Sequence, residues 1–231
     1  MISHKHKCIF IHISKCAGTT VENAFGIDTK KYNEPDYEKL FGWSEKLSMW
    51  LQHATPQQLL DNNLISENHW NNYYKFIIYR NSWSRSFSDY HYLKSHFGID
   101  DSFFNYLNKK GDFFGMLDKR GNRQYVGEHL FSQKPYFFLD DRRIDYDKEI
   151  NFENLDSGFK ELCEDLSLES RFFSYNLNIG DYNNKVHYSH FYNSKKKKMV
   201  ANIYFDDIEF FGFKFCDQRS IFQKLKNEFK G

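Results

Sequence analysis

Two short stretches of this chain hold the residue types that could do chemistry. Ser14-Lys15-Cys16-Ala17-Gly18-Thr19-Thr20 follows an apolar run at residues 8–13, and Arg80-Asn81-Ser82-Trp83-Ser84-Arg85-Ser86-Phe87-Ser88-Asp89-Tyr90 follows another at residues 76–79. In each, a strand feeds a polar turn that opens a helix. The first turn of a helix leaves backbone N–H groups unpaired at the positive end of its dipole, which suits an anion. Lys15 adds a cation to the first turn and Arg80 to the second. Two such turns call for a ligand with two separated anionic groups.

The elements that must place these turns are legible in outline. Residues 9–13 and 76–79 read as buried strands, and 136–139 and 144–152 as later ones. Thr19-x-x-Glu22 has the form of a capping box. Thr55-Pro56-Gln57-Gln58 has it more fully, with Pro at the first helical position. From Ser82 onward Trp83, Phe87 and Tyr90 recur at helical spacing. Helices are also expected at residues 101–108, 123–130, 157–166, 195–211 and 218–229, and residues 29–48 form an excursion with a short strand. Strands alternating with helices predict an α/β fold, a single domain spanning 1–231 with a central parallel sheet flanked by helices. In such sheets ligands bind beyond the C-terminal ends of the strands, where both turns would lie.

Composition narrows the function. With a net charge of +1 over 231 residues there is no global field to draw nucleic acid or an acidic membrane. No run of about 18 apolar residues could span a bilayer. The N-terminus, polar and running at once into a strand, does not read as a signal peptide. Four cysteines without C-x-x-C spacing read as reduced thiols of a cytoplasmic protein.

The first turn is not a standard nucleotide-binding loop, because Lys15 precedes the single Gly18 instead of following a glycine-rich run. Cys16 beside Lys15 at a helix start suggests a phosphatase loop, but residues 17–23 lack the Arg that would grip phosphate. An ordinary strand–turn–helix with a good cap is the plain alternative.

Taken together, the motifs resemble those of sulfotransferases that use 3′-phosphoadenosine 5′-phosphosulfate (PAPS), in particular the carbohydrate branch with bacterial members. Residues 14–20 are similar to that family's loop for the 5′-phosphosulfate, and residues 80–90 to its R-[ND]-P-x-x-R-x-x-S-x-Y loop for the 3′-phosphate. His53-Ala54-Thr55, Phe152-Glu153-Asn154-Leu155 and Asp206-Asp207-Ile208 with Phe211-Gly212-Phe213 continue the resemblance in order along the chain. Ser14 and Ser82 stand where the family usually has Pro, and Cys16 where it usually has Thr. Losing two prolines removes preset φ angles and predicts looser loops.

The resemblance implies a P-loop NTPase-like sulfotransferase fold and a set of roles. Lys15 and the backbone of Cys16, Ala17, Gly18, Thr19 and Thr20 would hold the 5′ end of PAPS, Lys15 also offsetting charge on the leaving group. Arg80 and Ser88 would hold the 3′-phosphate. His53 would take the proton from a hydroxyl of a carbohydrate or glycolipid acceptor, the lipid-linked case placing the protein at the inner face of a membrane. Imidazole titrates in the range this step needs. His91, His187 and His190 lack ligand partners at metal spacing, so no metal is expected. Glu153 is read as pinning a loop behind the site. Lys195–Lys198 is read as a solvated helix face, with a lip for an anionic ligand as the alternative, and the aromatic stretch 172–192 as acceptor groove or packing. Two rival readings stay open: a non-catalytic nucleotide- or phosphoglycan-binding module, and an NTPase or kinase of related fold.

Overall fold

A computed structural model describes residues 1–119, 123–173 and 186–228. The central sheet has four strands in the order β1 (Ile2–Ser3), β2 (Cys8–Ile11), β5 (Tyr74–Tyr79) and β8 (Lys148–Asn151). Strands β2, β5 and β8 run parallel, with Phe10 opposite Phe76 and Ile78 opposite Ile150. Cys8, Ile9, Phe10 and Ile11 are all buried, as expected for a parallel strand covered on both faces.

The sheet is mixed, not wholly parallel, because β1 pairs antiparallel with β2. Only residues 4–7 join the two strands. So short a link, turned by Lys7 at φ 48°, permits a hairpin and no parallel crossover.

Between β2 and β5 the chain forms α1 (Gly18–Ala24), the small hairpin β3 (Trp43–Ser44) and β4 (Met49–Trp50), α2 (Pro56–Asp61) and α3 (Glu67–Asn72). The Thr55 box is complete: its Oγ1 accepts from Gln58 N–H at 3.2 Å, and Gln58 Oε1 accepts from Thr55 N–H at 2.9 Å. The Thr19 box does not form. Helix α1 starts at Gly18 with Ala17 at its N-cap, so Thr19 lies inside the helix, and the Glu22 carboxylate bonds His12 instead.

After β5 come α4 (Ser82–Phe97), α5 (Phe103–Leu107) and α6 (Phe114–Leu117). The helix expected at 123–130 is a single 3₁₀ turn, Gly127–Leu130. Residues 134–137 form another, leaving only β6 (Phe138–Leu139) and β7 (Arg142–Arg143) as a short ribbon. Helix α7 (Leu155–Asp165) follows β8. The single helix expected over 195–211 is two, α8 (Ser194–Ile203) and α9 (Phe205–Phe211), broken at buried Tyr204 (φ −108°, ψ 33°). The break lets α9 leave the line of α8 and bring Asp207 to the backbone of Gln133 and Lys134. Helix α10 (Ile221–Glu228) ends the described chain, and Phe229, expected in it, lies outside the described residues.

Two main apolar cores form, and α4 also binds the first turn through Arg85. One surrounds the sheet, with Phe10, Phe76, Ile78, Ile150 and Leu162. The other packs Trp83, Phe87, Tyr90 and Leu93 of α4 against Phe103, Tyr106, Tyr192 and Val200. The helix that opens the second turn is therefore held from both sides.

Candidate functional site

The two turns lie where the sequence places them, after the C-terminal ends of adjacent parallel strands. In the first, Lys15 (φ 64°) and Ala17 (φ 60°) both adopt the left-handed conformation that non-glycine residues rarely take. Such backbone folds peptide N–H groups toward a common concavity. Cys16 N–H is used within the turn, donating to Ile13 O at 3.2 Å, and Thr20 N–H donates to Ala17 O at 3.0 Å. The N–H groups of Ala17, Gly18 and Thr19 make no hydrogen bond among the described residues. The Cys16 side chain is in the core, and burial pushes its thiol up to about 12, which removes it as a nucleophile at neutral pH.

Gly18 has an additional reason to be glycine. A Cβ there would lie 1.7 Å from His12 Nε2, inside the imidazole ring. That ring is fixed by a 2.8 Å hydrogen bond from Nδ1 to Glu22 Oε1, both side chains being buried.

In the second turn Asn81 caps α4, accepting from Trp83 N–H at 3.1 Å. The Arg80 guanidinium stacks 4.0 Å from the Phe152 ring centre, donates from Nε to Ser84 Oγ at 2.9 Å, and donates from Nη1 to the Lys15 carbonyl at 3.1 Å. That last bond joins the two turns directly. Ser88 is buried one turn beyond Ser84 on α4 and makes no hydrogen bond to Arg80, whose Nε donates to Ser84 instead.

The Arg80 backbone is locked from a distance. Gln133 accepts its N–H at 2.9 Å and donates Nε2 to its carbonyl at 2.8 Å. Gln133 N–H is held in turn by Asp207 at 2.8 Å. Glu153 accepts from Asn81 N–H at 3.3 Å.

The two serines that replace prolines differ. Ser14 is bound on its Oγ by Arg85 Nη2 at 3.0 Å, while Arg85 also donates to the carbonyls of Ser14, His129 and Phe131. The first turn thus gains a tether for the ring constraint it lacks. Ser82 is buried with its Oγ unpartnered, and the second turn gains nothing.

Lys15 Nζ rests 3.7 Å from the ring centre of Tyr92 on α4. Burial lowers its ammonium to about 8, against a pull upward from Asp89. His53 sits in the 3₁₀ turn before Thr55 and is buried; its Nδ1 donates to His12 O at 3.3 Å. Burial pushes its imidazole well below the ordinary value, and His12 and His129 push the same way. The structure therefore brings Lys15, Arg80 and His53 into one neighbourhood.

Several members of that neighbourhood carry no local sequence signal. His129 donates Nδ1 to Asp89 Oδ1 at 2.5 Å, and Tyr106 donates to Asp89 Oδ2 at 2.8 Å. The rings of His12 and His53 are 4.5 Å apart, and those of His53 and His129 are 5.6 Å apart. Burial alone would raise the Asp89 carboxyl, but His129, Lys15 and the Tyr106 hydroxyl hold it below its usual value. The one available hint was Asp89 itself, a carboxylate four residues from Arg85 on α4.

Other expectations fall outside this centre. His91 packs among the rings of Phe87 and Phe191, and His187 caps the 3₁₀ turn at Tyr188–Phe191. Among the described residues no three His, Cys, Asp or Glu side chains gather as a metal site, and no helix is long and apolar enough to cross a membrane. Lys195, Lys197 and Lys198 are exposed on α8. Residues 174–185 of the aromatic stretch lie outside the described residues. A cavity of about 400 Å³ beside Lys75 and Arg143 sits at the other end of β5 from Arg80.

Comparison with known proteins places the chain in a family. The model of the sulfotransferase family matches residues 1–214 of the chain. No curated protein and no solved structure matches it.

Proposed function

Since the chain belongs to the sulfotransferase family, we propose that it moves a sulfuryl group from PAPS to a hydroxyl of a carbohydrate or glycolipid, on a single domain of P-loop NTPase type. The observation that carries this reading is the Arg80–Lys15 bond, which sets two cationic turns side by side at the ends of β2 and β5. One turn suits each end of a nucleotide phosphorylated at 3′ and 5′.

On this reading the free N–H groups of Ala17, Gly18 and Thr19 and the Lys15 ammonium hold the 5′ end, with the hydroxyls of Thr19 and Thr20 beside them. Cys16 shapes the turn through its N–H bond to Ile13 O, and its buried thiol takes no part. Arg80 offers the planar donor fork that suits a 3′-phosphate, with Ser88 on the helix behind it. PAPS supplies an activated sulfur–oxygen bond. The protein's share is positioning, and placing positive charge where the leaving oxygen gathers negative charge. The acceptor proton passes to an imidazole of the array, a role the family resemblance gives to His53. The reading needs no metal, because Lys15 and the helix end supply the charge. The acceptor class follows the branch of the family that both turns resemble, and the work is assigned to the cytoplasm, on a glycan precursor or glycosylated lipid.

Thermal melting with 3′-phosphoadenosine 5′-phosphate against Mg-ATP tests the reading. At about a hundredfold its Kd, a ligand adds about 2.7 kcal/mol, or roughly 5–10 °C for a chain of this size. The bisphosphate is expected to give that shift, Mg-ATP not, and Arg80→Ala to lose it. No shift with the bisphosphate would refute the proposal, and a shift with Mg-ATP alone would favour an NTPase.

A further inference from the structure

Three imidazoles line up beside Lys15, and they differ in what holds each ring. His12 is bound to Glu22 through Nδ1, and its Nε2 edge lies against Gly18. His53 donates Nδ1 to a backbone carbonyl, and no carboxylate touches it. His129 donates Nδ1 to a buried carboxylate whose second oxygen is also bonded. This leaves His129 Nε2, on the opposite edge of the ring, without a partner among the described residues, and the side chain is 11% exposed. Its ring stacks 5.9 Å from that of Tyr92, the ring on which Lys15 Nζ rests.

We propose that His129, oriented by Asp89, is the group that takes the proton from the acceptor hydroxyl. The inference rests on the sulfotransferase reading above and reassigns one role within it. As the acceptor oxygen forms its bond to sulfur, its proton moves to His129 Nε2. The bond from sulfur to the bridging oxygen breaks, and that electron pair leaves on the 5′-phosphate, on the Lys15 side. Asp89 acts through His129 as a positioning residue: it fixes the tautomer and offsets the imidazolium that forms. His53 has no such counter-charge. A proton there would sit between two other imidazoles, and its lowered basicity makes it the weaker acceptor.

The charges facing His129 come from three directions. Helix α4 presents Asp89, Tyr92 and the Arg85 guanidinium, which binds the His129 carbonyl. The first turn presents Lys15, and the turn before Thr55 presents His53. Asp89 is the carboxylate hydrogen-bonded to the ring, so its removal has a defined effect. Asp89→Asn should free the His129 ring to take either tautomer and slow turnover with no loss of nucleotide binding.

The test uses hydrolysis of PAPS, with water in place of the acceptor, followed as release of 3′-phosphoadenosine 5′-phosphate. His129→Asn is expected to cut the rate about 100-fold while keeping the bisphosphate-induced melting shift. Asp89→Asn is expected to keep that shift, slow hydrolysis at least about 10-fold and lose the fixed Nδ1 proton of His129, whereas His53→Asn leaves that proton in place. Histidine-detected NMR of the wild-type protein gives a readout free of turnover and of misfolded variants: neutral His129 should carry its proton on Nδ1. A His129→Asn rate within threefold of wild type, or a wild-type His129 protonated on Nε2 when neutral, would overturn the assignment. If the wild-type protein shows no bisphosphate shift, the sulfotransferase reading fails first and takes this inference with it.

Discussion

Replacing Gly18 with Ala should destabilise the protein through a residue six positions earlier. The new methyl carbon would lie 1.7, 2.0 and 2.2 Å from His12 Nε2, Cε1 and Cδ2. Carbon contacts settle near 3.5–4 Å, so the ring must retreat by roughly 1.5–2 Å. It has little room to do so, with Phe10 stacked on one side, His53 on another, and Nδ1 bound to Glu22. Retreat breaks that bond and leaves a buried carboxylate without its partner, at a cost of about 3–5 kcal/mol. In a chain of this length that is a fall in Tm of roughly 6–20 °C. Gly18 does not need left-handed backbone, so once the ring is gone the methyl should be tolerated and even favoured by up to about 1 kcal/mol. Thermal or urea unfolding of Gly18→Ala, His12→Ala and the double variant closes the cycle. Gly18→Ala should be costly alone and nearly free in the His12→Ala background. Equal cost in both backgrounds, or a Gly18→Ala protein melting within 2 °C of wild type, would refute the steric argument.

Two further predictions follow from the turns. Ser82→Pro should raise Tm by about 2–4 °C, since it restricts the unfolded chain at the first residue of α4 and removes a buried hydroxyl without a partner. Asn81 already has the extended ψ of 125° that a following proline requires, and a lower Tm would show that the ring does not fit. Lys15 in the free protein loses its proton above about pH 8, and an anion bound against it would restore the ordinary lysine value. Binding of 3′-phosphoadenosine 5′-phosphate should therefore take up a proton near pH 9 and weaken as pH rises through that window. Calorimetry in two buffers of different ionisation enthalpy measures this, and absence of uptake would place the anion elsewhere.

What the sequence revealed was local, and what it hid was not. The Thr55 cap could be read because all its partners lie within four residues. The Thr19–Glu22 pattern has the same form, yet Glu22 was claimed by a histidine on the other side of the turn, and spacing cannot rank two such uses. Lys15 and Arg80 were legible as members of strand–turn–helix units. Gln133 and His129 were not, since each reaches its partner across 40 or more residues and neither sits in a pattern of its own. The expected helix at 195–211 shows the same limit: its hydrophobic period continues through Tyr204, but Asp207 has a buried destination that only a break can reach. The expectation of looser loops was half answered, by an arginine bond at Ser14 and by none at Ser82.

The clasp of Gln133 and Asp207 on Arg80 also bears on when the site comes into being. Its two links span 53 and 74 residues, so the shape of the second turn depends on chain made long after it. During synthesis, β2, β5 and both turns leave the ribosome well before α9 does. Until α9 emerges, Asp207 cannot hold the Gln133 backbone, and the lock on Arg80 is incomplete. Closing such long loops is slow, because their entropy is lost before their contacts form. A nascent chain should therefore gain no protection from the nucleotide until α9 has emerged. Its early half must rely on the sheet core alone, and chaperones have that interval in which to act.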